Sequence, residues 1–235
     1  MITQKFVRHA TASLLVLSTL SGPARSENFG AVTFETSCSE AAQQSFETGL
    51  LMLHHMMYTH AATAFQKTAS TDPNCAMAQW GIAMSNFFPL WPGSPTPEQT
   101  KAGNAAARSL AGLKTGSALE ADFVGAVQAF YEGEDVPYRK RLAAWAKAQQ
   151  GILANHPDHS EAIAFDALAQ LTLAPRGPQA VPALTKAGAT MDALRSAAPK
   201  HPAGYHYAIH AYDHPALAER GLEPSRSYQT IAPEN

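Results

Sequence analysis

The residues of this chain best suited to chemistry lie in one short stretch, His201-Pro-Ala-Gly-Tyr-His-Tyr-Ala-Ile-His-Ala-Tyr-Asp-His-Pro215. Four of the ten histidines fall within it. His206 and His210 are four residues apart, so on a helix their imidazoles stand one above the other. With Tyr205 set at zero and about 100° per residue, Tyr205, Ala208, Ile209 and Tyr212 form the apolar face. His206, His210 and Asp213 follow at about 80–140°, along one flank, and His214 lies further round. Imidazole is the commonest side-chain ligand for transition metals. His206, His210, Asp213 and His214 are therefore the candidate ligands for zinc, copper, iron or nickel. The plainer reading is a helix seam: Tyr and His bonded to backbone carbonyls of a neighbouring helix, with Asp213 capping the turn before Pro215.

Three further residues are candidates for a groove: His54, His60 and Trp91. His54 flanks the apolar face of its helix and His60 opens the next one. They share a groove with the 206–214 cluster only if the chain curls far round. His55 is expected to point outward, and His156 and His159 to cap or flank a helix junction. Phe87, Phe88 and Trp91 fit either an aromatic wall of a pocket or an aromatic plug. Glu120 and Asp122 read as helix-start charges. The sequence contains no Gly-x-Ser-x-Gly, no HExxH and no phosphate loop, so no catalytic residue and no reaction is assigned.

What must position these residues is helical. Apolar residues recur at three- and four-residue steps through almost every segment, and no segment alternates as a strand does. Ser37-Cys-Ser-Glu40 has the spacing of a capping box. Ala42, Phe46, Gly49, Leu50, Leu53 and Met57 form one stripe; a turn is expected at Tyr58-Thr59. Ala61, Ala62, Phe65 and Ala69 form a second stripe, stopped at Asp72-Pro73. This is a helical hairpin over 40–72. Further helices read as about 97–113, 117–132, 136–155, 159–173, 179–198, 203–213 and 223–231. Between them, Phe87-Phe-Pro-Leu-Trp-Pro-Gly-Ser-Pro-Thr-Pro97 is a proline-rich insertion that cannot be regular helix.

Residues 1–26 have the plan of a secretory signal. Lys5 and Arg8 precede an apolar run over Ala10–Leu20, and Ala24-Arg25-Ser26 fits a small-x-small cleavage site. Residues 27–235 then form one helical domain, and the compartment is periplasmic or extracellular. No later segment is long and apolar enough to cross a membrane, so no membrane insertion is expected after signal removal. A formal net charge of -2 gives no electrostatic case for nucleic acid.

The hairpin resembles a tetratricopeptide repeat: Gly49, Ala61, Phe65 and Pro73 fall at that repeat's small, small, aromatic and terminal-proline positions. Ala76-Met-Ala-Gln-Trp80-Gly81-Ile-Ala83 opens the next repeat in the same way. Together with Cys38-Ser-Glu, Pro73 to Met84, and His201-Pro to His214-Pro215, the chain resembles a family of secreted or periplasmic bacterial tetratricopeptide-like proteins without a secure common function. The resemblance implies an all-α solenoid of stacked hairpins. Family members continue into another histidine-bearing repeat, so residues 27–235 are read as a domain incomplete at its C-terminus. Cys38 and Cys75 each fall in the first turn of an A-type helix, one repeat apart. Such helices pack side by side in the family, which favours a Cys38–Cys75 disulfide over two unlinked buried thiols. A binding or scaffold protein that takes a protein or peptide ligand on its helical surface follows as the first functional reading. A transition-metal protein or metalloenzyme using His206, His210, Asp213 and His214 is the second.

Overall fold

A computed structural model describes residues 29–91, 95–133 and 135–233. The secretory signal read at residues 1–26 lies outside the described residues. Ten α-helices follow one another: α1 Glu40–His54, α2 Tyr58–Thr71, α3 Ala76–Ser85, α4 Pro97–Ser109, α5 Ala118–Tyr131, α6 Tyr138–Asn155, α7 Ser160–Leu173, α8 Val181–Ala197, α9 Pro202–Tyr212 and α10 Ala218–Ile231. Single 3-10 turns, Leu110–Gly112 and Gly177–Ala180, follow α4 and precede α8. There is no strand among the described residues, so the all-α expectation holds.

The helix starts follow local chemistry. At α4, Thr96 Oγ1 accepts from the Gln99 N–H and Gln99 Oε1 accepts from the Thr96 N–H, a complete capping box with Pro97 behind it. Ser117 Oγ caps α5, and His159 Nδ1 accepts from the Glu161 N–H at the start of α7. Pro202 occupies the first helical position of α9, where no N–H is needed. The capping box expected at Ser37-Cys-Ser-Glu40 does not form. Glu40 is the first residue of α1, and Ser39 makes no side-chain cap. Ser37 turns instead to Glu120, whose carboxylate accepts from Ser37 Oγ (2.7 Å) and from the Gly116 N–H (2.6 Å). Glu120 does start α5, but it is fully buried rather than solvated. The first turn comes at His55–Met57, before Tyr58, and α10 begins five residues ahead of the expected start and carries Pro224 inside it.

Neighbours in sequence are neighbours in space along the whole chain. In addition α3 packs on α1 and α5, α7 packs on α9, and α1 touches α9. The core runs through Phe34, Phe46, Phe65, Trp80, Phe123 and Phe165, whose rings meet mostly edge-on at 5.4–6.3 Å. Phe65 is fully buried, as the stripe on α2 requires. Two glycines make room for it: a Cβ on Gly49 would lie 2.7 Å from its ring, and one on Gly81 only 2.2 Å away. Phe87 plugs a second aromatic cluster, 4.0 Å from Phe130 and 4.7 Å from Trp145 between ring centres.

Cys38 and Cys75 are joined, with Cα atoms 4.8 Å apart. That separation lies within the range a disulfide spans. The bridge ties the entry of α1 to the N-cap of α3, and Asp72 Oδ2 accepts from the Ser39 N–H beside it. Further upstream, Phe29–Ala31 crosses the start of α9. Gly30 takes φ +84 there, and a Cβ on it would meet the Lys200 carbonyl at 2.5 Å, so only glycine fits.

Candidate functional site

Three separate stretches of chain converge at the end of α1. His54 is its last residue, Glu161 lies in the first turn of α7, and His201 is the N-cap of α9. All three are buried, at 0 %, 0 % and 3 % exposure. His54 Nε2 meets Glu161 Oε2 at 2.7 Å, and His201 Nε2 meets Glu161 Oε1 at 2.9 Å. Burial alone would raise the Glu161 carboxyl; the two imidazoles beside it more than offset this and hold it below the usual carboxylate range. Burial lowers His54 below the ordinary histidine value, against the pull of Glu161. An ionised carboxylate only accepts, so each Nε2 carries the proton. That leaves His54 Nδ1 to accept from the Tyr207 hydroxyl at 3.0 Å. His201 Nδ1 is buried without a hydrogen-bond partner.

The helix singled out by its histidines sits directly against this group. His206 Nδ1 donates to the His54 carbonyl at 2.8 Å, so α9 does curl round to α1. His206 and His210 lie one above the other as their spacing requires, with ring centres 4.9 Å apart and planes tilted by 33°. Burial drives His206 down to about 3 and lowers His210 as well. One His206 nitrogen is thus spent on backbone, as the seam reading expects. Asp213 is exposed, and His214 Nδ1 accepts from the Ala216 N–H in the turn after α9. Asp213 and His214 do not join His206 and His210 in a cluster of metal-competent atoms. Among the described residues the group of three that does meet is His54, Glu161 and His201.

His55 does not point outward. It is buried, with Nε2 donating to the Phe29 carbonyl at 2.8 Å and the Tyr228 hydroxyl 2.5 Å from Nδ1. The N-terminal crossing and α10 cover a helix face that a two-helix hairpin alone would leave in water. Its pKa falls to about 4 through that burial. His156 pairs with Asp122 at 3.1 Å and His159 caps α7, as their places at a helix junction suggest.

The candidate groove residues His60 and Trp91 do share a recess, of about 510 Å³, lined by Met56, Met57, Tyr58, Thr59, His60, Phe88 and Trp91. His54 is not part of that lining; it is enclosed in the core. Trp91 is 49 % exposed, whereas Trp80 and Trp145 are buried. Trp91 and the buried Tyr58 both line this recess. A smaller recess of about 170 Å³ lies on the other side of Trp91, lined by Leu90, Leu171, Leu184 and His210. Met56 (φ 56) and Phe88 (φ 50), both in the lining of the larger recess, are the non-glycine residues with left-handed backbone among those described. The aromatic segment is therefore divided: Phe87 is a plug, while Phe88 and Trp91 are wall.

The sequence reading missed Glu161, His201 and Tyr207 as partners of His54. Glu161 carried a usable signal. It stands four residues before Phe165 and seven before Leu168, a carboxylate on the apolar stripe of α7. Comparisons of the chain with models of known protein families, with curated proteins and with solved structures find no match.

Proposed function

We propose that this chain is an exported, periplasmic or secreted, tetratricopeptide-like binding protein that takes a peptide segment of a protein partner in the recess beneath Trp91. The observation that carries the reading is the pair Met56 and Phe88. A left-handed backbone costs a non-glycine residue of order 1–3 kcal/mol, and such residues cluster where a site is held in shape. Here both line the same recess. The lining chemistry supports a polypeptide ligand. Met56 and Met57 present adaptable thioethers, Phe88 and Trp91 present flat apolar faces, and His60 and Thr59 add polar groups at the rim. Helical surfaces take amphipathic or extended segments in such grooves. The repeat character is supported by Phe65 seated between Gly49 and Gly81, and export by the Cys38–Cys75 disulfide.

Selection of a random displayed peptide library against the wild-type chain tests this. Recovery of sequences with one or two large apolar anchors that bind wild type and lose binding to Trp91→Ala and His60→Ala is expected. Binders that ignore both substitutions would place the binding surface elsewhere.

A further inference from the structure

Independent of what fills the recess, His54, Glu161 and His201 join the ends of three helices. We propose that these three side chains form a buried site for a divalent first-row transition metal ion, with Glu161 chelating through both oxygens and each imidazole binding through Nε2. The donor atoms already converge: all three residues offer one ligand atom within 4.8 Å of the others. Each Glu161 oxygen faces a different imidazole, at 2.7 and 2.9 Å. One ion among them would take up four donor atoms, two nitrogen and two oxygen. This set suits zinc and its neighbours, which accept imidazole and carboxylate together.

The proton inventory permits the exchange. Binding through Nε2 requires each imidazole to move its proton to Nδ1 or lose it. His201 Nδ1 has no hydrogen-bond partner, so that ring changes tautomer without breaking another bond. His54 Nδ1 faces the Tyr207 hydroxyl, which both donates and accepts and so can reverse its role. Tyr207 then orients a metal-bound imidazole from behind, in the place where such ligands usually carry a carboxylate, a backbone carbonyl or water. Charge argues the same way. The ion pairs of Glu161 are with His54 and His201, and among the described residues no lysine or arginine pairs with it. A fully buried carboxylate is costly in a dry interior unless a cation stands beside it. A divalent cation removes that cost. Because the site is enclosed, the ion is expected to load as the chain folds rather than by diffusion into the finished fold.

The test is refolding of the full-length, untagged chain with Zn2+, removal of loose metal over a chelating resin, and elemental analysis. About one zinc per chain is expected, with a thermal midpoint above that of protein refolded in chelator. Zinc-free wild type that folds equally well would overturn the proposal without recourse to any variant. Glu161→Gln keeps the shape of the carboxylate and is expected to weaken zinc retention at least tenfold, as is His201→Gln. The His206→Ala/His210→Ala double substitution is expected to keep it. Full retention by Glu161→Gln, or loss confined to the His206/His210 pair, would overturn the assignment. Refolding with Co2+ adds a second readout: visible bands of a four-coordinate site are expected in wild type, and their absence in a protein that holds cobalt would refute the ligand set.

Discussion

The packing of Phe65 between two glycines makes a sharp prediction about how substitutions combine. A methyl added at Gly81 would lie 2.2 Å from the Phe65 ring, and the ring has little room to retreat because it also packs so closely on Gly49 that a Cβ there would lie 2.7 Å away. Overpacking of this kind costs roughly 3 kcal/mol at the upper end of its usual range. Replacing a mid-helix glycine with alanine recovers about 1 kcal/mol of helix propensity, so Gly81→Ala should destabilise by about 2 kcal/mol. Phe65→Ala alone empties a fully buried site and should cost roughly 3–5 kcal/mol. In the Phe65→Ala background the clash is gone, and the same Gly81→Ala change should now stabilise by about 1 kcal/mol. The double-mutant cycle therefore predicts a coupling of about 3 kcal/mol between residues 65 and 81. Urea unfolding of the four proteins, followed by far-ultraviolet circular dichroism, measures it. Additivity within about 0.5 kcal/mol would refute the packing argument.

Other consequences are as direct. Removing the Cys38–Cys75 bridge by a double Cys→Ser substitution should lower stability by roughly 3–4 kcal/mol, from a closed loop of 37 residues; an unchanged urea midpoint under oxidising and reducing conditions would argue against it. Glu120→Ala strands the Ser37 and Gly116 N–H groups and should cost roughly 2–3 kcal/mol. It should also speed proteolysis within residues 29–37, and a cleavage rate equal to wild type would show that Glu120 does not hold that segment.

What could be read in the sequence was what local periodicity encodes. The 40–72 hairpin, the burial of Phe65, the existence and type of every later helix, and the placing of His206 beside His210 all depend on residues within a turn or two of each other. The Cys38–Cys75 link was legible through the resemblance to a helical repeat, which sets both cysteines at the start of helices expected to pack side by side. The misses are non-local. His54 meets Glu161 across 107 residues of chain, and no spacing rule reports that. His55 looked exposed because its cover comes from Phe29 and Tyr228, at opposite ends of the described chain. Ser37 had a good local partner in Glu40, but a buried carboxylate from α5 outcompeted the cap. Asp213 fell on the right flank by angle and His214 further round, yet α9 ends at Tyr212, and beyond that point helical spacing no longer places side chains.

Fluorescence anisotropy of one selected, labelled peptide measures whether the recess built around Trp91 binds peptide. The titration compares wild type with Trp91→Ala and with Leu222→Ala, an exposed apolar residue on α10. Loss of a central aromatic anchor typically costs 2 kcal/mol or more, so Trp91→Ala should weaken binding at least about thirtyfold. Leu222→Ala should bind as wild type does. Equal affinity of the wild-type and Trp91→Ala proteins would contradict the account.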